Sequence, residues 1–357
     1  MLFASRSAAA VLLMSAFVAT AQPVATSPLA RLPLKQNGGT WASGHVQGIA
    51  VDVQGGYIYY SFTNLLAKYD FSGKLIGTLV GWTGHLGDLD FNPSDGKVYG
   101  SLEYGKANAF YIAVIDVIRL DRVGIEASKT EIFRTVHLPE VAKDFVVHRY
   151  GCSGIDGVGF GPAFGHVDGP RYLTVGYGVY GDTERNDNDH QVLLQYDITD
   201  WNEYAKPLVE SDLHHSGPST WQGKYFVRTG NTTYGVQNLS YDGTLQRWFM
   251  GVYPGKKPSF PNYFLFAVDA RTQPKMSKLV GVGEQGQLLA LADDGSKDAA
   301  TGVRGWNQKG DVGFQPVGEG LFYLAVNSGG KGSQTADLTL MRWTGDANKP
   351  FAPVKAP

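Results

Sequence analysis

The feature of this sequence that most restricts its fold is a strand–turn–strand unit that recurs along the chain. Residues 85–91 alternate apolar and polar side chains after a histidine, residues 92–96 are turn formers, and residues 98–104 are a second β-rich run. Residues 45–62 show the same order, again beginning with a histidine, and residues 152–177 repeat it less cleanly. We therefore predict hairpins whose loops gather at one end of a repeat fold.

Four short strands per unit, at a spacing of roughly 40 to 50 residues, are typical of a β-propeller. The sequence predicts an all-β fold, a single β-propeller of seven four-stranded blades, because about 336 residues divide into units of about 48. Five or six blades remain open, since the unit boundaries after Pro254 are vague. A β-sandwich is the rival fold, but it would not need such recurrence. Helices are expected to be scarce.

The N-terminus has the pattern of a secretory signal. A basic start at Arg6 precedes an apolar run over residues 8–18 and small residues at 19–21, and the run is too short to span a bilayer. We expect a signal peptide over 1–21, a linker or closing strand over 22–40, the propeller over 41–350 and a tail over 351–357. This predicts an exported protein, periplasmic or extracellular, without membrane insertion.

Composition removes several classes of function. The chain has 31 basic and 33 acidic residues and a net charge of −2, which gives no reason to expect a nucleic-acid partner. Its single cysteine, Cys152, excludes an intrachain disulfide. The sequence contains no G-x-S-x-G elbow, no P-loop and no dinucleotide fingerprint. A serine hydrolase, a nucleotide enzyme and an organic cofactor are therefore not expected.

His45 and His85 precede equivalent first strands of neighbouring units. In a propeller, equivalent positions lie side by side around the axis, so the two rings are predicted to share a pocket. The simpler alternative is that both are polar residues that close loops.

The most polar stretch, residues 177–191, carries Arg185 and His190. Arg185 is a candidate for binding a carboxylate through its planar guanidinium, and the alternative is a solvated loop. Cys152, His190 and His215 are candidate ligands of a zinc ion, since thiolate and imidazole are zinc ligands. The alternative for Cys152 is that it serves as a small buried hydrophobic residue. No C-x-x-C or H-E-x-x-H spacing supports a metal site.

Residues 224–238 mix aromatic, basic and amide side chains in a short space. Aromatic rings pack on the apolar face of a sugar, whereas amides and arginine bind its hydroxyl and carboxylate groups. Arg228, Asn231 and Asn238 are therefore candidate substrate-binding residues. The alternative is an ordinary strand pair with a polar turn.

With His85, Tyr150, Arg185 and Tyr234 identified, the chain resembles secreted seven-bladed propeller polysaccharide lyases, the group that includes ulvan lyases and rhamnosyl-glucuronate lyases. The resemblance implies β-elimination at a uronic acid of an acidic polysaccharide by a monomeric enzyme. His85 is then the base or acid, with Tyr150 or Tyr234 as its partner.

The same resemblance implies a cation that neutralises the sugar carboxylate, a role open to Arg185, Arg149 or Arg228. His45 would contribute to substrate binding. Some relatives carry a structural divalent metal, zinc or calcium, which keeps Cys152, His190 and His215 as its candidate ligands. Two alternatives stay open, a non-catalytic propeller that binds a glycan or protein and a glycoside hydrolase on the same scaffold.

Overall fold

The computed structural model describes residues 28–356, and within this range the chain is a β-propeller of five blades. The prediction of an all-β propeller with few helices is confirmed, and the prediction of seven blades is wrong. The predicted signal peptide at 1–21 lies outside the described residues.

Each blade is a sheet whose first strand lies at the propeller axis; successive strands of a blade are antiparallel, and parallel pairs occur only where β9 and β20 join an outer edge among the described residues. The chain begins with β1 (Lys35–Trp41), and blade 1 contains β2 (Val46–Asp52), β3 (Tyr57–Phe62), β4 (Leu65–Asp70) and β5 (Leu75–Val80). Blade 2 begins with β6 (His85–Asn92), β7 (Lys97–Tyr104) and β8 (Ala109–Ile115); β9 (Ile125–Glu126) then pairs with β5, and β10 (Phe133–His137) completes blade 2.

The third and fourth blades carry most of the irregular chain. Blade 3 follows helix α1 (Pro139–Val146) and contains β11 (Cys152–Gly161), β12 (Tyr172–Val179), β13 (His190–Tyr196) and β15 (Gly223–Arg228). Helix α2 (Trp201–Tyr204) and β14 (Lys206–Pro207) lie between β13 and β15 in the sequence, and β14 pairs with β10 of blade 2. Blade 4 contains β16 (Thr232–Asp242), β17 (Arg247–Pro254) and β18 (Leu265–Asp269). Short 3-10 helices occupy Pro28–Arg31, Gly105–Ala107, Val117–Arg119, Ala127–Lys129 and Arg149–Gly151.

A long connection separates blade 4 from blade 5. It contains β19 (Lys275–Lys278), β20 (Gln285–Leu289), β21 (Ser296–Lys297) and β22 (Arg304–Gly305), and blade 5 then contains β23 (Phe314–Gly318), β24 (Leu321–Gly330), β25 (Ser333–Trp343) and β26 (Phe351–Pro353). β1 pairs with β25, so the first strand of the chain closes the ring onto the last blade.

The blade number differs from the prediction because some recurring strand patterns belong to blade edges. Residues 288–292 have the pattern of an inner strand, but β20 instead runs parallel to β15 and extends the outer edge of blade 3. An edge strand covered by a neighbouring segment buries one face, so its alternation of apolar side chains resembles that of a blade's first strand. Dividing the chain evenly into units assigns these residues to two further blades, but they form the long insertions between and beside the five blades.

The axis is filled by polar side chains that join one inner strand to another. Asp88 Oδ2 accepts hydrogen bonds from Val158 N at 2.9 Å and from Leu239 N at 2.8 Å, which ties blade 2 to blades 3 and 4. Asp90 Oδ2 accepts one from Phe160 N at 2.7 Å, and its Oδ1 accepts one from Gln315 Nε2 of blade 5 at 3.2 Å. The carboxylates of Asp88 and Asp90 and their partners thus lie in the middle of the axis, between its two ends.

Candidate functional site

The inner strands β2, β6, β11, β16 and β23 all begin at the same end of the axis, which we call the top face; the opposite end is the bottom face. His45 directly precedes β2, His85 is the first residue of β6 and Tyr234 is the third residue of β16. The recurrence of the hairpin unit predicts such positions for His45 and His85 but not for Tyr234. The segments that precede the inner strands therefore gather at the top end of the axis.

His85, at the first position of β6, is held between two carboxylates. Its Nδ1 is 3.7 Å from Glu103 Oε1 and 3.6 Å from Asp156 Oδ1. Glu103 lies opposite His85 in the β6–β7 pair, whereas Asp156 comes from β11 in the next blade. The side chains of His85, Glu103 and Asp156 are 31%, 23% and 12% exposed. The three groups are therefore largely enclosed but still reachable from solvent.

Burial and charge change the protonation of this cluster. Burial raises the pKa of Asp156 to about 7, the Glu103 charge adds to the rise, and His85 and Gln237 oppose it. Burial alone lowers the pKa of His85, but Glu103 and Asp156 outweigh it and raise that pKa above its ordinary value. Because Asp156 exchanges its proton around neutral pH, the cluster can donate or accept a proton there.

The position of Glu103 depends on a glycine. Gly154 has φ +132°, and a Cβ atom there would lie 2.1 Å from Glu103 Oε2. The same oxygen accepts a hydrogen bond from Ile155 N at 3.2 Å. Any larger residue at 154 would displace the carboxylate, because both the backbone conformation and the space exclude a side chain.

Blade 4 supplies the group that orients Asp156. Gln237 Nε2 donates hydrogen bonds to Asp156 Oδ2 at 2.9 Å and to Tyr234 O at 2.8 Å. Tyr234 has a left-handed backbone (φ 64°), and it is 57% exposed at the top end of the axis. A non-glycine residue in this conformation is strained, and such strain concentrates at functional sites.

A second proton-bearing pair lies beside the first. His45 Nε2 is 3.2 Å from Tyr253 OH, and the Tyr253 ring packs edge to face on Tyr234 with 6.2 Å between centroids. Burial and the charge of His85 lower the pKa of His45, so its ring is neutral at neutral pH. Burial and the negative charges of Asp311 and Asp156 raise the pKa of Tyr253, which keeps its proton.

Asn238 is also at the axis, but its amide has a structural partner. Its Nδ2 donates to Gln47 O at 2.8 Å across the axis. It is buried, with 1% of its surface exposed.

Tyr150 and Arg149 have partners of their own between blades 2 and 3. Tyr150 is buried and packs on Phe226, with 5.0 Å between ring centroids, and Lys224 Nζ lies 5.0 Å from its ring centroid. Arg149 forms a 2.7 Å ion pair with Glu284. None of their contacts is shared with the His85 cluster.

The other predicted sugar-binding residues lie farther out on the top half of the propeller. Arg185 binds both carboxylate oxygens of Asp187, at 2.9 and 2.8 Å. The Arg228 guanidinium lies over the Phe260 ring, 5.8 Å from its centroid. Asn231 is buried, and its Oδ1 accepts a hydrogen bond from Lys257 N at 3.4 Å. The structure does not bring these three residues to His85.

The predicted metal ligands do not form a cluster. Cys152 Sγ contacts Gly154 O at 3.7 Å, and burial raises the pKa of its thiol to about 12. Burial lowers the pKa of His190 to about 4, whereas His215 Nδ1 faces His137 Nε2 at 3.5 Å. Across residues 28–356 no group of three or more His, Cys, Asp or Glu side chains is arranged to hold a metal ion.

Sequence reasoning missed Glu103, Asp156, Gln237 and Tyr253. Counting outward from the turn at 93–96 places Tyr104 opposite His85, and a register shift between Leu86 and Leu89 puts Glu103 there instead. Nothing in the sequence signals that shift. Asp156 lies in a predicted first strand, but only the order of blades around the axis brings it to His85.

We expect replacement of Gln237 with leucine to raise the pKa of Asp156 further, because the amide that favours the ionised carboxylate is lost. A carbon-13 NMR titration of the Asp156 carboxyl, assigned with Asp156→Asn, measures the midpoint. Gln54→Leu, on an exposed turn, is the matched control and should leave it unchanged. A midpoint that stays in place or falls in Gln237→Leu contradicts the assigned role.

No helix among the described residues is both long enough and apolar enough to cross a membrane. No protein family and no curated protein sequence matches the chain. A solved structure titled "Structure of Dos1 propeller" is similar at 13% identity and a TM-score of 0.34, over 86% of this chain and 69% of that one. A match at this TM-score carries no conclusion about fold or activity.

Proposed function

We propose that this chain is an enzyme that cleaves a glycan at the top face by general acid–base catalysis. The proposal rests on the placement of two carboxylates, Glu103 and Asp156, at 3.7 and 3.6 Å from the same nitrogen, Nδ1 of His85, at the top end of the axis. Burial holds a proton on Asp156 up to about pH 7. A carboxylic acid that keeps its proton near neutral pH, with a second carboxylate close by, is what glycosidic bond cleavage requires.

Hydrolysis is the reaction that this geometry favours. Asp156 would protonate the leaving oxygen, and Glu103 would act on the opposite side as a base or nucleophile, with His85 holding both carboxylates in place. The rings of Tyr234 and Tyr253 lie at the top end of the axis and offer the apolar faces that a sugar ring needs. The carboxyl groups of Glu103 and Asp156 lie at His85, and Asp311 acts on Tyr253, so the site carries several acidic groups, which favours an uncharged sugar over a uronate.

β-Elimination by a secreted polysaccharide lyase, implied by the resemblance, is the second candidate. The pair of His45 and Tyr253 supports it, since a tyrosine hydroxyl within 3.2 Å of an imidazole nitrogen can pass a proton. In that reaction protonated His85 would have to neutralise the uronate carboxylate, because Arg149, Arg185 and Arg228 bind other groups.

A screen of the purified chain against neutral and uronate-containing polysaccharides tests the proposal. Saturated reducing ends identify hydrolysis, and unsaturated ends, read by their ultraviolet absorbance, identify elimination. Glu103→Gln should abolish either product, whereas Asp121→Asn, at a carboxylate that is 70% exposed on the outer chain, should not. Binding of a glycan without any product would replace the enzyme proposal with a glycan-binding propeller.

A further inference from the structure

Two adjoining cavities open on the bottom face between blades 2 and 3. Both are lined by Asp197 and Trp201; the larger, of about 550 Å³, also reaches Tyr99 and Asn202, and the smaller, of about 250 Å³, reaches Trp221. We call them together the bottom groove. Asp197 directly follows β13 and Trp221 shortly precedes β15, at the strand ends opposite His190 and Arg228. The groove is therefore separated from the His85 cluster by the body of blade 3.

Aromatic rings are concentrated in the groove and differ in exposure. Trp201 is buried, with 4% of its surface exposed, and packs on Tyr196 with 5.6 Å between ring centroids. Trp221 is 38% exposed at the outer end. An exposed tryptophan presents a flat apolar face whose negative π cloud attracts polarised C–H groups. Such a face suits the C–H side of a sugar ring.

The polar groups that a ligand can reach in the groove are amides. Trp201 Nε1 is fully buried and has no hydrogen-bond partner within the described part of the chain, so it is closed to a ligand unless its neighbours move. Asn202 and Gln222, which also line the groove, add amide groups that both donate and accept.

The charges of the groove oppose an ionic ligand. Lys97 and Arg171 line the groove together with Asp95, Asp197 and Asp200, so the excess of negative charge is a single unit. Two of the carboxylates are already bonded, Asp95 Oδ2 by Tyr99 OH at 2.6 Å and Asp197 Oδ1 by Thr199 N at 2.9 Å. A neutral ligand rich in hydroxyl groups satisfies these surroundings better than an anion or a cation.

We propose that the bottom groove is a binding site for a neutral oligosaccharide, separate from the top-face site and independent of whether that site is catalytic. Its volume lies within the range of about 300–1,000 Å³ typical of ligand pockets. The exposed Trp221 ring would stack on one sugar, while the amides of Asn202 and Gln222 would bind hydroxyl groups. Such a site would hold a glycan chain on the side of the protein away from His85.

Calorimetric titration with short neutral oligosaccharides of glucose, mannose, xylose and galactose tests the proposal. The full chain carries Asp156→Asn, so that turnover cannot consume the ligand. We expect at least one oligosaccharide to bind, and Trp221→Ala to weaken that binding by about tenfold or more, the loss of one good contact. The indole N–H signal of Trp221 should shift on binding, and Gln222→Ala should also weaken it.

Tyr234→Ala is the matched control, because it removes an exposed ring at the top face. It should leave the affinity unchanged if the oligosaccharide occupies the bottom groove. Equal affinity in Trp221→Ala, a loss confined to Tyr234→Ala, or no binding of any oligosaccharide overturns the proposal. If Trp221→Ala cleaves soluble glycans at the rate of the unsubstituted chain, catalysis at the top face does not depend on the bottom groove.

Discussion

Replacing Asp156 with asparagine is expected to lower kcat/KM for glycan cleavage by about 10²–10⁴-fold, the contribution of a positioned proton donor. The amide keeps the hydrogen bond that Gln237 donates to the side-chain oxygen, so the fold should persist. The rate measurement on the substrate found by the screen gives the result directly. Asp121→Asn, at an exposed carboxylate on the outer chain, is the control and should retain full activity.

The pH dependence of kcat/KM tests the role of Asp156 independently. Because burial raises the pKa of Asp156 to about 7, the protonated form that donates to the leaving oxygen disappears as the pH rises through that value. The unsubstituted enzyme should therefore lose kcat/KM on the alkaline side of about pH 7. The residual rate of Asp156→Asn should lack this limb. An unchanged alkaline limb in the variant would assign the proton to another group, with His85 the first to test.

Replacing Asp88 with alanine is expected to lower the free energy of unfolding by about 2–5 kcal/mol, among the larger effects of a single substitution. One carboxylate oxygen accepts hydrogen bonds from Val158 N and Leu239 N, in two other blades, and the side chain is completely enclosed. Alanine leaves both buried N–H groups without a partner and opens space at the axis. Urea unfolding followed by tryptophan fluorescence measures the loss.

Asp88→Asn separates the hydrogen bonds from the charge. Its side-chain oxygen can still accept from both amides, so its loss of stability should be much smaller than that of alanine. Burial raises the pKa of Asp88 well above its ordinary value, although the backbone N–H groups oppose the rise. A raised pKa in the folded state means that the stability gained from the proton is lost as the pH rises through that pKa.

Asp88→Asn should therefore show a weaker decline of stability with rising pH than the unsubstituted chain. Asp121→Ala, on the exposed outer chain, should change the free energy of unfolding by no more than about 0.5 kcal/mol. Equal stability of Asp88→Ala and the unsubstituted chain would mean that the axial carboxylate is dispensable.

The sequence predicts the propeller and the position of His85 better than it predicts the rest of the site. Recurrence of a hairpin is a local property, so the histidine before β6 can be placed at a loop end without knowledge of other blades. The number of blades is not local, because β20 has the pattern of an inner strand yet pairs at the outer edge of blade 3.

Arg185 shows a different reason for an unsuccessful assignment. Its guanidinium suits a substrate carboxylate, but Asp187, two residues away, supplies one at a much smaller cost in chain entropy. A polar loop can satisfy its own charges before any ligand arrives. Asp156 was overlooked for the opposite reason, since nothing near it in sequence reveals that β11 lies beside β6 at the axis.

The pairing of β1 with β25 has a consequence for how this chain reaches its folded state. The hydrogen bond from Asn37 Nδ2 to Asp337 Oδ1, at 2.8 Å, spans 300 residues of sequence. Contacts of such long separation are slow to form, because the loop entropy is lost before the contact is gained. Ring closure is therefore the late step of folding, and blade 5 cannot be completed until both ends of the described chain have met.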